Sequence, residues 1–550
     1  MKFGFLFLIL IIFSISYKQA TASDKCLEAT LALGIIRDIA DVEMISIEDV
    51  FDKLCDYLPA ELYEVCLKTV NHYAGDVIQY FMEEDNPDSV AQKLGLCKQP
   101  QCRLYPKGDQ SHFGPQLDKK ENKYTTKRAE KDPKLTKSIW ELIKEEIDKI
   151  AKEHVPIVDL DNDHFVTYKT LRGSNWRGKD CNDVVSGIKP GTVPLNGDID
   201  YDSNCNGISG RDSDGVSYED KFCKDSQPMG VMVLGDSVGA HFHIPPEYFD
   251  SQKILDGVLK RTVMSLIEME ADWPHKSYGT GFDLSSSEVI TGPVNSLYLE
   301  MWKRNRCNHR NYQNLAVNGM ESKHIYKLLE TTVNKGEQKQ AYPTLTLLEI
   351  VGNDICAAKN VDDFITPEDF RKNVIAFLDQ LDDTLAPGSK VLTVGFVMGS
   401  ILYDTLHDHI HPIGHGITYA QLYEYLICVG ASPCDIWLTT NNTNRNAADK
   451  HAQILNDVYI EIMKDYKPTN YEIAYLPFPL IQMREVFTKN GWDFAQALEA
   501  VDGFHPSQTG QYYLAKYLWE NLNNEYPGFL PPENPYNEEI EKIFGDQGGF

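Results

Sequence analysis

The sequence is poor in basic residues and, after its first 16 positions, has no long apolar run. Lys and Arg number 53 against 81 Asp and Glu, which gives a formal net charge of −28. Such a chain repels the phosphates of nucleic acid at long range, so the composition excludes nucleic acid as a partner. No later segment has the ~20 consecutive apolar residues that a membrane-spanning helix requires. At 550 residues the chain is also too long for one hydrophobic core, and we expect two or more folded units joined by a linker.

The N-terminus has the pattern of a cleavable secretory signal. Lys2 precedes an apolar run from Phe3 to Phe13, and the small residues of Ala20-Thr21-Ala22 follow. We interpret residues 1–22 as a signal peptide, with a single membrane anchor as the alternative. Export agrees with the even number of 12 cysteines, which predicts disulfides, and with a glycosylation motif at Asn441. The sequence therefore predicts a protein that is secreted, or lumenal within the secretory and endolysosomal pathway.

Residues 23–103 have apolar residues at helical spacing, which predicts a small all-α domain. An outer pair of cysteines encloses an inner pair that is eleven residues apart; the four are Cys26, Cys55, Cys66 and Cys97. This pattern resembles saposin-like domains, which usually have six cysteines, and Ala29 and Ala91 stand at the two missing positions. The resemblance implies lipid binding and the bridges Cys26–Cys97 and Cys55–Cys66. A disulfide-stapled helical module is the alternative.

A polar stretch follows, and we interpret residues 104–135 as an exposed linker. The dibasic pair Lys127-Arg128 within it is a candidate processing site, with an ordinary surface charge pair as the alternative. Residues 136–225 then combine an amphipathic helix over 137–154 with an acidic segment.

The acidic segment predicts calcium binding. Asp159, Asp161 and Asp163 alternate, as in a calcium loop whose seventh position, here Phe165, supplies a backbone carbonyl. The loop is not an EF-hand, because His164 replaces the glycine and no Glu stands at position 12. Two more groups of oxygen donors indicate that the segment binds more than one Ca²⁺. A disulfide between Cys181 and Cys205 would hold the segment together in addition to calcium. The alternative is a solvated acidic loop. The further candidate ligands are Asp180, Asn182, Asp183, Val185, Asp198, Asp202, Asn204, Asn206, Ile208 and Glu219.

A serine directly follows a predicted buried strand. Val231–Leu234 is an apolar run typical of a parallel sheet, and Gly235-Asp236-Ser237 follows it directly. The spacing is not the G-x-S-x-G of α/β-hydrolases. It resembles the first block of the GDSL (SGNH) family, with Val238 in place of Leu. The resemblance implies an SGNH-hydrolase domain over residues 226–550: an α/β fold with a flavodoxin-like parallel sheet and flanking helices.

Candidates for the other three blocks of that family follow in order: Asn314–Gly319, then Gly352-Asn353-Asp354 after a second strand, then Asp502–His505. Each block alone is a short sequence that also occurs in turns and helix caps. The presence of all the blocks in this order is specific to the family. The chemistry assigns Ser237 as nucleophile, His505 as its base and Asp502 as the group that orients the base. The oxyanion donors would be the backbone N–H groups of Ser237 and Gly319 and the side chain of Asn353.

Longer segments resemble the acyloxyacyl hydrolases; they are Leu234–Ile244, Thr170–Asp183, Trp302–Arg310 and Phe544–Phe550. The resemblance implies release of secondary fatty acyl chains from the lipid A part of bacterial lipopolysaccharide, drawn from a membrane or micelle. It also implies a precursor that is split into two disulfide-linked subunits. Cys102 would be the tether, with Cys428 or Cys434 as its partner.

Lipid A carries phosphates, which basic side chains would have to bind. The densest basic group near a motif is Arg304, Arg306 and Arg310, and we predict that it contacts these phosphates. The alternative is an exposed basic helix end. His241 and His243 stand beside the nucleophile, where we expect packed or supporting roles. The alternative functions are a broader phospholipase or lysophospholipase, and a lipid carrier whose hydrolase domain is inactive.

Overall fold

The computed structural model describes residues 22–84, 86–105, 154–332 and 341–550. The signal peptide up to residue 21, most of the linker, Lys127-Arg128 and nearly all of the predicted helix over 137–154 lie outside the described residues. Within the described ranges, every helix is too short or too polar to cross a bilayer.

The N-terminal part is a group of four helices: α1 (Ala22–Glu43), α2 (Ile47–Lys53), α3 (Ala60–Glu84) and α4 (Pro87–Lys93). Ser46 begins α2 with a capping box, and Asn86 caps α4 ahead of Pro87. Disulfides Cys26–Cys97 and Cys55–Cys66 join the helices as the saposin-like pattern implies. Ala29 and Ala91 are completely buried, so packed methyl groups stand where a third bridge would be.

The large domain is built on a five-stranded parallel sheet in the order β2-β1-β3-β4-β5. Val233 on β1, the second strand in this order, pairs with Asn314 of β2 and Leu347 of β3. Helices cover both faces, which is why β1 is apolar at consecutive positions. The strands are β1 (Gly230–Gly235), β2 (Tyr312–Asn314), β3 (Thr344–Glu349), β4 (Ser389–Val394) and β5 (Tyr471–Leu476).

The α-helices around the sheet are α5 (Tyr218–Phe222), α6 (Ser237–Ala240), α7 (Ser251–Leu255), α8 (Val258–Glu268), α9 (Leu297–Arg304), α10 (Tyr326–Thr332), α11 (Asn353–Cys356), α12 (Pro367–Thr384), α13 (Ser400–Leu406), α14 (Tyr419–Val429), α15 (Asn442–Asp465), α16 (Leu480–Asn490), α17 (Gln508–Glu525) and α18 (Asn537–Phe544). Asn441 is exposed and caps α15 by accepting the N–H of Thr443.

The saposin-like helices pack on the large domain rather than standing apart from it. One buried apolar cluster contains Leu31 and Val77 from the helical group together with Phe249 and Leu426 from the large domain. His415 Nε2 lies 2.6 Å from Asp38 Oδ1 across this interface. The disulfide Cys102–Cys428 closes it covalently. The helical group and the hydrolase domain therefore share a core, which brings α1 close to the carboxyl ends of the central strands.

The acidic segment has little regular structure between residue 154 and α5 and is stapled to the large domain. The predicted bridge Cys181–Cys205 forms within it, and Cys223–Cys307 attaches its end to the sheet domain. Arg172 and Glu270 form a fully buried, bidentate ion pair with hydrogen bonds of 2.9 and 2.8 Å. These links hold the segment in place together with two backbone hydrogen bonds along β2, from Gly178 to Tyr312 at 2.9 Å and from Asn314 to Trp176 at 2.7 Å.

Candidate active site

Ser237 lies at the carboxyl end of β1, at the start of α6. Asp236 caps this helix, since its Oδ1 accepts the N–H of Val238 at 2.9 Å and its Oδ2 accepts the N–H of Val351 at 3.0 Å, after β3. The chain passes from β1 to β2 on one side and then to β3 on the other side, so the strand order changes direction between β1 and β3. Open α/β sheets bind their ligands at such a switch point. Gly239 permits the tight turn: a Cβ there would lie 2.4 Å from the buried carboxyl of Glu349.

The three residues predicted as a triad form one hydrogen-bonded chain. His505 Nε2 lies 2.7 Å from Ser237 Oγ, although the two are 268 positions apart, and His505 Nδ1 lies 2.5 Å from Asp502 Oδ2. Asp502 Oδ1 is fixed by the backbone N–H groups of Phe504 and His505, at 2.8 and 3.1 Å. This geometry allows the imidazole to take the proton of the serine hydroxyl.

The electrostatic environment suits His505 as a base. Burial lowers the pKa of its imidazole, but the negative charge of Asp502 and the hydrogen bond to it outweigh burial, so the pKa is raised above its ordinary value. Burial raises the pKa of Asp502, whereas the charge of His505 and the hydrogen bond lower it by more, so its carboxyl stays ionised. Asp502 can therefore stabilise the imidazolium that forms during the reaction.

The predicted oxyanion donors converge on the same cavity as the triad. Gly319 and Asn353 both line it beside Ser237. Gly319 has a φ of +74°, a left-handed conformation in which a side chain would be strained. The two loops are tied together, because the carboxyl of Asp354 accepts the N–H of Ser322 at 2.9 Å and its hydroxyl at 2.7 Å.

A second buried pair supports the turn that carries Asp502 and His505, and the sequence did not reveal it. The backbone N–H of Glu499 donates to the carbonyl of His505 at 2.7 Å, and its carbonyl accepts the N–H of Gly503 at 2.9 Å. Its carboxylate lies 2.5 Å from His243 Nδ1, while His243 Nε2 contacts the carbonyl of Val289 at 3.0 Å. His243 thus has the supporting role expected of it, and Glu499 is its partner.

The cavity over Ser237 is apolar and is built from both domains. The space between its lining residues is about 930 Å³, and part of this space is open solvent. Helix α1 of the saposin-like group contributes Leu27, Glu28 and Leu31. The large domain contributes the triad, the oxyanion residues and an apolar wall that includes Phe242, Ile244, Phe249, Leu422 and Leu426. The activated serine therefore faces an apolar cavity that both domains line.

The first group of candidate calcium ligands comes together in space. Carboxylate oxygens of Asp159, Asp161 and Asp183 lie within 4.8 Å of one another, as do those of Asp161, Asp163 and Asp180. Asp163 and Asp180 are buried, and burial raises the pKa of Asp163 to about 8 and of Asp180 to about 6. Within the described ranges, Oδ2 of Asp163 and Oδ2 of Asp180 have no hydrogen-bond partner. Lys189 Nζ lies 3.9 Å from Asp163 Oδ2, and a single ammonium group leaves most of the negative charge of this cluster for a hard divalent cation.

A second group of donors surrounds Glu219. Its carboxylate accepts the side-chain N–H groups of Asn204 at 2.9 Å and of Asn206 at 3.0 Å. Asp202 accepts the backbone N–H groups of Asn206 and Gly207, at 3.2 and 2.7 Å. Asp159 accepts the backbone N–H groups of Asn162 and His164 in the same way, so one aspartate folds each of the two loops. Burial raises the pKa of Glu219 to about 8. Asp198 is buried beside this group and accepts the N–H of Ser203 at 2.9 Å.

Two further predicted ligands, Asn182 and Val185, lie in the turn that follows Asp180. Val185 is 45 % exposed, and its N–H donates to the carbonyl of Asn182 at 3.1 Å. Asn182 donates its backbone N–H to Asp180 Oδ1 at 2.9 Å.

The three arginines predicted to meet lipid phosphate lie away from the cavity over Ser237, and their partners are in the C-terminal segment. Arg310 donates to the carbonyls of Gly548 and Gly549 at 2.9 and 2.6 Å. Arg306 pairs with Glu541 at 2.7 Å, and Arg304 Nε donates to the carbonyl of Pro531 at 2.5 Å. Each of the three arginines therefore gives at least one hydrogen bond or ion pair to the C-terminal segment.

The structure decides between the two partners that the sequence left open for Cys102. Cys102 pairs with Cys428, whereas Cys434 pairs with Cys356. All the cysteines of the described residues are in disulfides.

A parallel sheet in this order, with a serine after β1, an Asn after β3 and an Asp-x-x-His turn near the end, defines an ester hydrolase of the GDSL class. The family model described as "GDSL-like Lipase/Acylhydrolase" matches residues 231–518, and the one described as "Saposin-like domain" matches residues 25–143. Both domain types are as predicted.

Nearly the whole chain aligns with curated acyloxyacyl hydrolases. The protein of Oryctolagus cuniculus is 38% identical over 95% of this chain and 93% of its own length. The proteins of Homo sapiens and Mus musculus are each 36% identical, over 95% and 96% of this chain and 93% of their own lengths. The chain belongs to the acyloxyacyl hydrolase family and is a lipase-type ester hydrolase.

Proposed function

We propose that this protein releases secondary fatty acyl chains from the lipid A part of lipopolysaccharide. The observation that carries the proposal is the hydrogen-bonded chain Asp502–His505–Ser237, which opens into an apolar cavity roofed by α1 of the saposin-like domain. The relatives bear the name of this activity. A lipid-binding fold placed over the serine lets an acyl chain leave its micelle or membrane without meeting bulk water.

The residues divide the chemistry as follows. Ser237 Oγ attacks the acyl carbonyl as His505 takes its proton, and the negative oxygen that forms is stabilised by N–H donors from Ser237, Gly319 and Asn353. His505 then gives the proton to the leaving alkoxide, which departs as a hydroxyacyl group. Water attacks the acyl-enzyme with His505 again as base, and the fatty acid is released.

We also propose that calcium holds the acidic segment. The first ion would be bound by carboxylates from Asp159, Asp161, Asp163, Asp180 and Asp183, and a second by the donors around Glu219. Calcium neutralises charges that burial otherwise penalises, so a chelator is expected to lower the melting temperature. An unchanged melting temperature in excess EGTA would contradict the proposal.

Secretion and maturation complete the proposal. Export would form the disulfides, and cleavage in the linker would leave a small saposin-like subunit tied to the catalytic subunit by Cys102–Cys428.

The test is mass analysis of lipopolysaccharide incubated with the wild type and with Ser237→Ala, alongside glycerophospholipid vesicles. Loss of the secondary acyl masses of lipid A with the wild type alone is the expected result. Faster release of fatty acid from glycerophospholipid than from lipid A would instead assign the protein as a broader phospholipase.

A further inference from the structure

A short hairpin at the edge of the cavity contacts the turn that carries the predicted catalytic acid. It comprises residues 409–419, and we call it the histidine hairpin. The N–H of His411 donates to the carbonyl of Ile417 at 2.8 Å. The N–H of Tyr419 donates to the carbonyl of His409 at 3.0 Å, which closes the base of the hairpin. His411 and Ile417 are both buried, so the hairpin is packed in place.

His411 makes two hydrogen bonds that fix the state of its ring. Its Nε2 lies 2.7 Å from the carbonyl oxygen of Val501, directly before Asp502. Because a carbonyl only accepts, Nε2 carries the proton of this bond. Its Nδ1 accepts the backbone N–H of Ile413 at 3.1 Å, so this nitrogen carries none. Burial lowers the pKa of His411 to about 4, which keeps the ring in this neutral form.

Two tyrosines of α14 hold carbonyls of the same turn. The hydroxyl of Tyr419 donates to the carbonyl of Ala500. The hydroxyl of Tyr423 donates to the carbonyl of Gly503 at 2.9 Å. Gly503 has a φ of +60°, and a Cβ there would lie 2.2 Å from this hydroxyl, so the close approach requires glycine. Carbonyls before and after Asp502 thus have side-chain donors.

The bond from His411 acts on the catalytic acid through one peptide unit. The carbonyl of Val501 and the N–H of Asp502 belong to the same plane, so a hydrogen bond to the carbonyl fixes the orientation of that peptide. The carboxylate of Asp502 in turn lies 2.5 Å from His505 Nδ1, and Nε2 of this ring faces Ser237. Rotation of the peptide would move the carboxylate out of line with the imidazole.

We propose that His411 is a positioning residue for the ester hydrolysis: by donating to the carbonyl of Val501 it holds Asp502 in line with His505. The inference rests on the triad of the proposed function. His411 also lines the cavity over the nucleophile, so the competing role is that of a wall of the acyl site. The two roles predict different kinetic changes.

The test compares two replacements of His411 that each keep one half of its hydrogen bonding. His411→Gln places an amide nitrogen near the position of Nε2 and still donates to Val501. His411→Asn reaches only as far as Nδ1, so it accepts the N–H of Ile413 and leaves Val501 without its donor. The matched control is His309→Asn, because His309 is also buried and its Nε2 bonds to the carbonyl of Gly549 at 3.1 Å, in the C-terminal segment.

The assay measures kcat and KM of the full chain on p-nitrophenyl butyrate, a short ester, together with the melting temperature. We expect His411→Asn to lower kcat about tenfold to a hundredfold at an unchanged KM, since small displacements of a catalytic group cost this much. His411→Gln should keep most of the wild-type kcat. His309→Asn should lower the melting temperature to a similar degree as His411→Asn and keep kcat. His411→Met, which fills the space without either bond, replaces His411→Asn if the latter does not fold.

Three results would overturn the positioning role alone. They are an equal kcat in His411→Asn and His309→Asn, an equal loss of kcat in a folded His411→Gln and in His411→Asn, and a higher KM for p-nitrophenyl myristate at unchanged kcat, which would make His411 a wall of the acyl site. Asp502→Asn is measured alongside and should lower kcat about 10⁴-fold. Full activity of Asp502→Asn would overturn the triad and the inference with it.

Discussion

Leu31 offers a way to test whether the saposin-like domain forms part of the catalytic cavity. It lies on α1, is 3 % exposed, and lines the cavity together with Leu27 one helical turn earlier. Leu31→Ala removes three carbon atoms, each worth ~0.8 kcal/mol when fully buried. Only one side of the residue faces the cavity, since the other packs in the shared core, so about 1.2 kcal/mol of contact with an acyl chain should be lost.

That loss corresponds to a roughly eightfold lower kcat/KM for a long-chain ester. The assay compares p-nitrophenyl myristate in mixed micelles with p-nitrophenyl butyrate, whose acyl chain is too short to fill the cavity. Leu33→Ala is the matched control, because Leu33 is on the same helix and fully buried in the same cluster but does not line the cavity. The myristate-to-butyrate ratio should fall in Leu31→Ala only. Equal ratios in the two variants would refute the view that α1 roofs the acyl site.

Three further predictions concern pH, the arginines and the tether. Glu499→Gln removes a negative charge that raises the pKa of His505. Because His505 must be neutral to act as a base, kcat/KM on a short ester should persist to lower pH in this variant. An unchanged pH dependence of kcat/KM would count against this role for Glu499. Arg310→Met should destabilise the fold by about 2–4 kcal/mol in thermal denaturation, without changing the affinity for lipid A. Weaker binding of lipid A at unchanged stability would instead indicate that Arg310 contacts a lipid phosphate. After proteolysis confined to residues 104–135, the wild type should run as one band on a non-reducing gel and Cys428→Ser as two, whereas one band for Cys428→Ser would contradict the tether.

The parts of the site that could be predicted from sequence are those in which chemistry needs particular residue types in short blocks. Ser237 in GDS and His505 in the D-x-x-H block were identifiable because nucleophile, base and orienting acid admit few substitutes. Glu499 was missed for the opposite reason: it meets His243 from 256 positions away, and no local pattern marks a lone buried Glu.

The arginines show a second limit. Arg304, Arg306 and Arg310 form a dense basic group in sequence, and the segment that engages them is more than 200 residues later. Most of the acceptors there are backbone carbonyls, which every residue has, so the sequence carries no sign of them. Likewise, the helical spacing of α1 predicts an apolar face, but only the packed structure reveals that the hydrolase domain covers it.

The central claim is that Ser237 becomes a nucleophile because His505 reaches it from the other end of the hydrolase domain. Labelling with a fluorophosphonate probe, followed by peptide mapping, tests this most directly. We expect a single labelled serine, Ser237, in the wild type and no label in a folded His505→Ala variant. A label on another serine, or undiminished labelling of Ser237 without the imidazole, would contradict it.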